Sequence, residues 1–326
     1  MDEHLLPSLG ELSNLSIHHL SGEQGNNREI HHRCQIHAKN DYEAIQCWLN
    51  EYRHKASTFR TYQKESERFL LWAVFQRRKA LSSLERDDIE VYLKFLDDPQ
   101  PKEVWCTKKN GRGCRRGDPE WRPFTGSLSH SAKTTAISSI DSLFNYLVEA
   151  RYLSFNPFSL MRKRERKVLI NHGEIMLQER MLTIDEWHTM LDTMDRLPDD
   201  TIAQKNEKAR LMFLVKILYF LGLRINELAT HTWSSFRKID DNWWFYVMGK
   251  GDKVGRIPVN DELLRAVITY RAHLKKILYP STDETTPLIT SARGDAITAR
   301  QMNKILKKLA IATADQLCIN RIKLVN

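Results

Sequence analysis

The chain has 326 residues, of which 41% are hydrophobic and 28% charged, enough for two soluble domains with separate cores. Fifty Lys and Arg against 41 Asp and Glu give a formal net charge of +9, which favours a polyanionic partner, nucleic acid first and an anionic membrane surface second. No run approaches the roughly 18 uninterrupted apolar residues of a membrane span. The start, with Asp2, Glu3 and His4, has no secretory pattern, so a cytoplasmic location is expected. The five cysteines, Cys34, Cys47, Cys106, Cys114 and Cys318, are odd in number and scattered, which suits reduced structural thiols better than disulfides or zinc.

Residues 1–40 are polar and rich in His, with Gly22, Gly25, Asn26 and Asn27 as breakers, and read as a flexible arm. From Tyr42 the pattern becomes helical, with Ile45, Trp48, Leu49 and Tyr52 on one face. A second helix is expected after Ser57 as N-cap, turning Phe59, Tyr62, Phe69, Leu70 and Ala73 inward and leaving Arg60, Lys64, Arg68, Arg77 and Arg78 outside. A third helix, 86–96, follows Ser82 and Ser83 and packs Ile89, Tyr92, Leu93 and Leu96. Residues 99–130 carry several Pro and Gly, with basic residues around Trp105 and Trp121, and read as an irregular insertion suited to a nucleic-acid backbone. A fourth helix spans 131–151, opening with Lys133, Thr134 and Thr135, residue types suited to phosphate contact, and Asn156-Pro157 ends the bundle.

Residues 161–181 read as a basic linker, centred on the Arg-Lys-Arg-Glu-Arg-Lys run at 162–167. A second domain, 182–326, opens at a capping box formed by Thr183 and Glu186. Helices at 184–195 and 203–221 precede strands at 243–248 and 254–259, and helices near 261–278 and 297–312 follow. The fold class is therefore mainly α: a four-helix bundle over 41–160, then an α-rich domain with a small antiparallel β-sheet.

Two segments carry chemistry. In Leu221-Gly222-Leu223-Arg224-Ile225-Asn226-Glu227-Leu228 a long apolar helix meets a glycine and then a new helix. The glycine permits a tight corner, and Arg224 emerges where its guanidinium and free backbone N–H groups suit a phosphate. Glu227, three residues on, is placed to brace it. The second segment is Gly249-Lys250-Gly251-Asp252-Lys253 at a hairpin tip, followed by Arg256, Ile257, Pro258 and Val259. Glycines on both sides leave Lys250 a free path to a ligand, and the pattern is not a P-loop. Singly, an Arg at a helix start is most often an ion pair and Gly-Lys-Gly-Asp a plain turn. Their order and spacing make the pair specific.

In these segments, together with Trp233 and Phe236, the chain resembles the tyrosine recombinase, or phage integrase, family over roughly residues 41–315. The resemblance implies that the bundle is a core-binding domain of the SAM-like kind, and that the protein closes as a clamp on double-stranded DNA with bundle helices in the major groove. It implies that Arg224 binds the scissile phosphate, that Lys250 protonates the departing 5′-hydroxyl, and that Glu227 orients the arginine. Arg60, Lys64, Lys133, Thr134, Lys253 and Arg256 are the expected DNA contacts. Preorganised Arg stabilises charge that develops on the phosphate, Lys serves as general acid, and a phosphotyrosine intermediate conserves bond energy, so neither ATP nor a metal cofactor is expected.

The family completes its site with His-x-x-Arg, a further His or Trp, and the tyrosine nucleophile, downstream of the 297–312 helix. No His lies beyond His273 and the last tyrosine is Tyr279. The expectation is thus a truncated recombinase that binds DNA but cannot cleave it alone. The alternative is a DNA-binding fragment that occupies recombination sites or modulates an intact integrase. An unrelated basic helical regulator explains neither Arg224 nor Lys250. The family assembles as tetramers on two duplexes by exchanging C-terminal segments, so self-association of this chain on DNA is doubtful.

Overall fold

A computed structural model of the chain describes residues 20–107, 118, 120–161, 182–249, 254–291 and 293–316. It divides into two compact units, Met1–Gly173 and Glu174–Asn326. Residues 1–19, most of the expected linker, and the hairpin tip with Lys250 and Lys253 lie outside the described residues. No helix among the described residues is long and apolar enough to cross a membrane.

The first unit is built on helices α1 (Asp41–Asn50), α2 (Ala56–Leu71), α3 (Arg86–Asp97), the short α4 (Lys102–Trp105) and α5 (His130–Glu149). Helix α1 starts at Asn40, whose side chain accepts the Glu43 N–H. The α2 start differs from expectation: Lys55 holds the N-cap position and Ser57 lies inside the first turn. Its end widens into a π-helical turn at Trp72–Gln76, which Arg77 N–H closes on the Trp72 carbonyl. Helix α3 is capped by Glu85 and Asp88, not by Ser82, which sits in a buried 3-10 turn. Phe69, Trp72, Tyr92 and Phe144 meet at ring-centroid separations of 4.7–5.9 Å and fill the centre of the bundle.

Several residues expected at the surface belong to the framework. Trp105 is buried, its ring N–H donating to Gln76 at 3.0 Å, and so is part of the core and not of a nucleic-acid face. Arg68 donates to the Pro123 carbonyl at 2.8 Å and lies over the Phe124 ring. Arg77 and Lys79 both pair with the buried Asp88.

The arm expectation needs correction over residues 20–40, which are held to the bundle. Asn27 exchanges side-chain hydrogen bonds with the Phe155 backbone, Glu29 N–H reaches the Tyr152 carbonyl, and Gln35 N–H the Ala150 carbonyl. The glycines read as breakers serve close approach instead. A Cβ on Gly22, at φ +87°, would stand 2.1 Å from the Asp41 carboxylate, and one on Gly25 2.0 Å from the Ser82 hydroxyl.

The second unit comprises α6 (Ile184–Asp195), α7 (Ile202–Leu221), α8 (Ile225–Leu228), strands β1 (Phe236–Ile239), β2 (Asn242–Met248) and β3 (Val254–Pro258), α9 (Asp261–His273) and α10 (Ala299–Gln316). The Thr183–Glu186 capping box forms as expected. β1 was not anticipated. The three strands form one antiparallel sheet in the order β1-β2-β3, with Phe236 opposite Phe245 and Phe245 opposite Ile257. Those residues face the core, where Phe213 on α7 stacks on both Trp233 and Tyr270. Alternation puts Arg237, Trp244, Tyr246 and Arg256 on the opposite face.

Candidate functional site at the Arg224 corner

Helix α7 buries Leu211, Phe213, Leu214, Val215, Ile217 and Leu221, which fixes where its end emerges. Gly222 then adopts the left-handed conformation, φ 60° and ψ 24°, and its N–H closes the helix on the Leu218 carbonyl at 3.0 Å. An L side chain there is strained, so glycine sets the corner. Leu223 drops into the core and Arg224, in extended conformation, becomes the N-cap residue of α8.

Glu227 fastens the arginine at two points. One carboxylate oxygen accepts the Arg224 backbone N–H at 2.8 Å and the other accepts the guanidinium Nη1 at 2.9 Å. These contacts, the backbone one first, hold the Glu227 carboxyl below its ordinary range, so it stays ionised. The Arg224 side chain is nevertheless 81% exposed, with the rest of its planar donor fork turned to solvent. An arginine tethered at one nitrogen and open elsewhere is oriented for an anionic, bidentate acceptor such as a phosphate.

A histidine absent from the expected site belongs to this corner. His231 is buried, its Nδ1 lies 2.6 Å from the Glu227 carbonyl, and its Nε2 lies 3.3 Å from the Met248 backbone nitrogen at the end of β2. An amide N–H can only donate, so Nε2 is the acceptor and Nδ1 carries the proton given to Glu227. Phe245 packs beside the ring, with centroids 5.2 Å apart. The available sequence signal was slight: a polar Thr-His-Thr run between the buried Leu228 and Trp233.

The other expected site residues that the structure describes fall in both units. Arg256 is exposed and stacks over Trp244 at 4.9 Å, while Arg237 lies over Tyr246 at 4.6 Å. In the first unit, Arg60 is exposed, Lys64 pairs with Glu65 at 2.7 Å, and Lys133 pairs with Asp97. Thr134 donates to the His130 carbonyl at 3.0 Å. Between the starts of α2 and α5 lies a cleft of about 460 Å³ lined by hydroxyl groups, including Ser57, Thr58, Thr61, Thr134 and Ser138. Trp233 and Phe236, part of the recognised pattern, are core residues.

Residues 180–321 match the model of the phage integrase family. Among curated proteins, the chain is 27% identical over 192 residues to tyrosine recombinase XerC of Thermodesulfovibrio yellowstonii, covering 56% of this chain and 57% of that protein. It is 26% identical over 220 residues to a tyrosine recombinase of Thermosipho africanus, covering 67% and 62% respectively. The matched region thus spans about three fifths of these relatives. The fold is similar to that of XerH site-specific recombinase bound to its difH substrate, with a TM-score of 0.51 at 16% identity over 86% of this chain and 68% of that one. A lambda integrase dimer bound to a COC′ core site gives a TM-score of 0.51 at 14% identity, over 84% and 63%. The Gly222–Arg224–Glu227 corner and the β-hairpin that follows it both lie inside residues 180–321, so the part of the chain that carries the corner is the part that is similar to the phage integrase family.

Proposed function

We propose that this chain acts in site-specific DNA recombination by binding double-stranded DNA and holding one backbone phosphate with Arg224 and Lys250. The observation that carries this reading is the Arg224 guanidinium, braced by Glu227 and otherwise open to solvent. The match of residues 180–321 to the phage integrase family model and the net charge of +9 support it. In this reading Arg224 stabilises negative charge on the non-bridging oxygens, Lys250 gives its proton to the leaving 5′-oxygen, and Glu227 orients the arginine without reacting. Arg60, Lys64, Lys133, Thr134, Lys253 and Arg256 contribute backbone contacts, which add affinity that weakens with salt.

The second reading is a DNA-binding protein that occupies recombination sites without cutting them; it differs from the first in whether any tyrosine hydroxyl of this chain attacks DNA. A duplex selected by the chain from a random pool, then nicked so that cleavage releases a short fragment, separates the readings. Stable binding with no covalent protein–DNA adduct on a denaturing gel is expected. A trapped adduct establishes a nucleophile in this chain and removes the second reading, and failure to enrich any duplex removes both.

A further inference from the structure

We infer that His231 is a positioning residue for Arg224, its ring bridging the Glu227 turn to the end of strand β2; this rests on the proposed role of Arg224 at a phosphate. The α8 helix that carries the corner has only four residues, from Ile225 to Leu228. One helical turn of that length has little stability of its own and takes its orientation from tertiary contacts. Among the polar contacts of this turn, that of His231 reaches the sheet. Nδ1 donates to the main-chain carbonyl of Glu227, the residue whose carboxylate grips Arg224, and Nε2 accepts the Met248 N–H.

The geometry is demanding in a way that a packing role is not. Only an imidazole protonated at Nδ1 and bare at Nε2 satisfies both backbone groups at once. The ring is buried against Phe245, and its own main chain is tied in, since the Leu288 N–H reaches the His231 carbonyl at 3.4 Å. Thr230 also donates to the Glu227 carbonyl, from its hydroxyl at 2.9 Å and its N–H at 3.1 Å, but those bonds stay within the turn, whereas the imidazole carries the connection on to β2. The path from β2 to the guanidinium is therefore Met248, the imidazole, Glu227 and Arg224. Each link is a hydrogen bond, and the imidazole is the rigid member. Loss of either half removes this tie between the α8 turn and the sheet and loosens the placement of Arg224, while the buried Leu228 keeps the turn on the core.

The test is a double-mutant cycle in the full chain, using a duplex selected from a random pool by the wild-type protein. His231→Asn retains a donor near the Nδ1 position and loses the Met248 bond, whereas His231→Gln retains an acceptor near Nε2 and loses the Glu227 bond. Each is expected to weaken duplex binding by about three- to tenfold when Arg224 is present, the scale of one lost hydrogen bond. In the Arg224→Ala background the same substitutions are expected to change binding by less than about twofold. Equal losses in both backgrounds, or none in either, overturn the positioning role and leave His231 as packing. If Arg224→Ala alone binds as well as the wild type, the phosphate reading fails, and the positioning role falls with it. Nitrogen NMR of the wild-type imidazole needs no variant: the Nδ1–H tautomer is expected, and the Nε2–H tautomer overturns the bridge.

Discussion

The Tyr152 hydroxyl donates to the buried Asp41 carboxylate at 3.0 Å, joining the segment after α5 to the first residue of α1. Asp41 also accepts the Ser82 N–H at 3.0 Å and the Ser82 hydroxyl at 3.1 Å. Burial outweighs these bonds and pushes its carboxyl up from 3.8 to about 6. Arg28, stacked over the Tyr152 ring at 3.7 Å, supplies the smallest of the compensating effects.

The sign follows from linkage. The folded carboxyl takes up a proton more readily than the unfolded one, so its stabilising contribution is full below pH 3.8 and is lost as pH rises through about 6. The loss is on the order of 3 kcal/mol. Asp41→Asn is neutral throughout, so the difference in stability between it and the wild type is expected to shift across this window. Native-state exchange of core amides in α1 and α2 measures it, and a pH-independent difference contradicts the assignment.

Arg271, only 3% exposed, is the pin of the second unit. Its guanidinium pairs with Glu284 at 2.8 Å, donates to the Ile277 carbonyl at 2.7 Å and lies over the Trp233 ring at 4.6 Å. Burial raises the Glu284 carboxyl, but the bonds from Arg271 and Lys276 outweigh this and hold it below its ordinary range. Arg271→Ala leaves this carboxylate without its buried partner and is expected to cost about 3–5 kcal/mol. Denaturant unfolding of the variant checks the figure. A loss under about 1 kcal/mol, as for a surface pair, contradicts it.

Glu227→Gln separates orientation from charge. Removing an anion beside the DNA favours binding of any duplex, whereas loosening Arg224 disfavours the site at which it must be placed. The ratio of affinities for a selected and a random duplex is expected to fall by roughly threefold or more, while random-duplex binding holds or rises. Paired titrations at fixed salt read the ratio, and an unchanged ratio argues against a bracing role.

The parts legible in the sequence are those fixed by neighbours along the chain. Gly222 followed by Arg224 and Glu227 spells its own geometry, because a left-handed C-cap and a carboxylate three residues into the next turn are local devices. The Thr183–Glu186 box is of the same kind. Gly22 and Gly25 misled because a glycine that permits a turn and one that admits a distant side chain look alike, and Asp41 and Ser82 are far along the chain. Trp105 misled similarly, since its place is set by Gln76, Phe95 and Phe124. His231 acquires meaning only from Met248, seventeen residues on. The four-residue strand β1 was too short for its alternation to register.

The engagement of a DNA phosphate by Arg224 is tested most directly by the salt dependence of duplex binding. Affinity of the wild-type chain and of Arg224→Ala for a selected duplex is measured over a series of salt concentrations. Loss of one phosphate contact is expected to weaken binding by about 1.5–3 kcal/mol and to make the slope of log K against log salt shallower by about 0.9. Coincident lines for the two proteins contradict it.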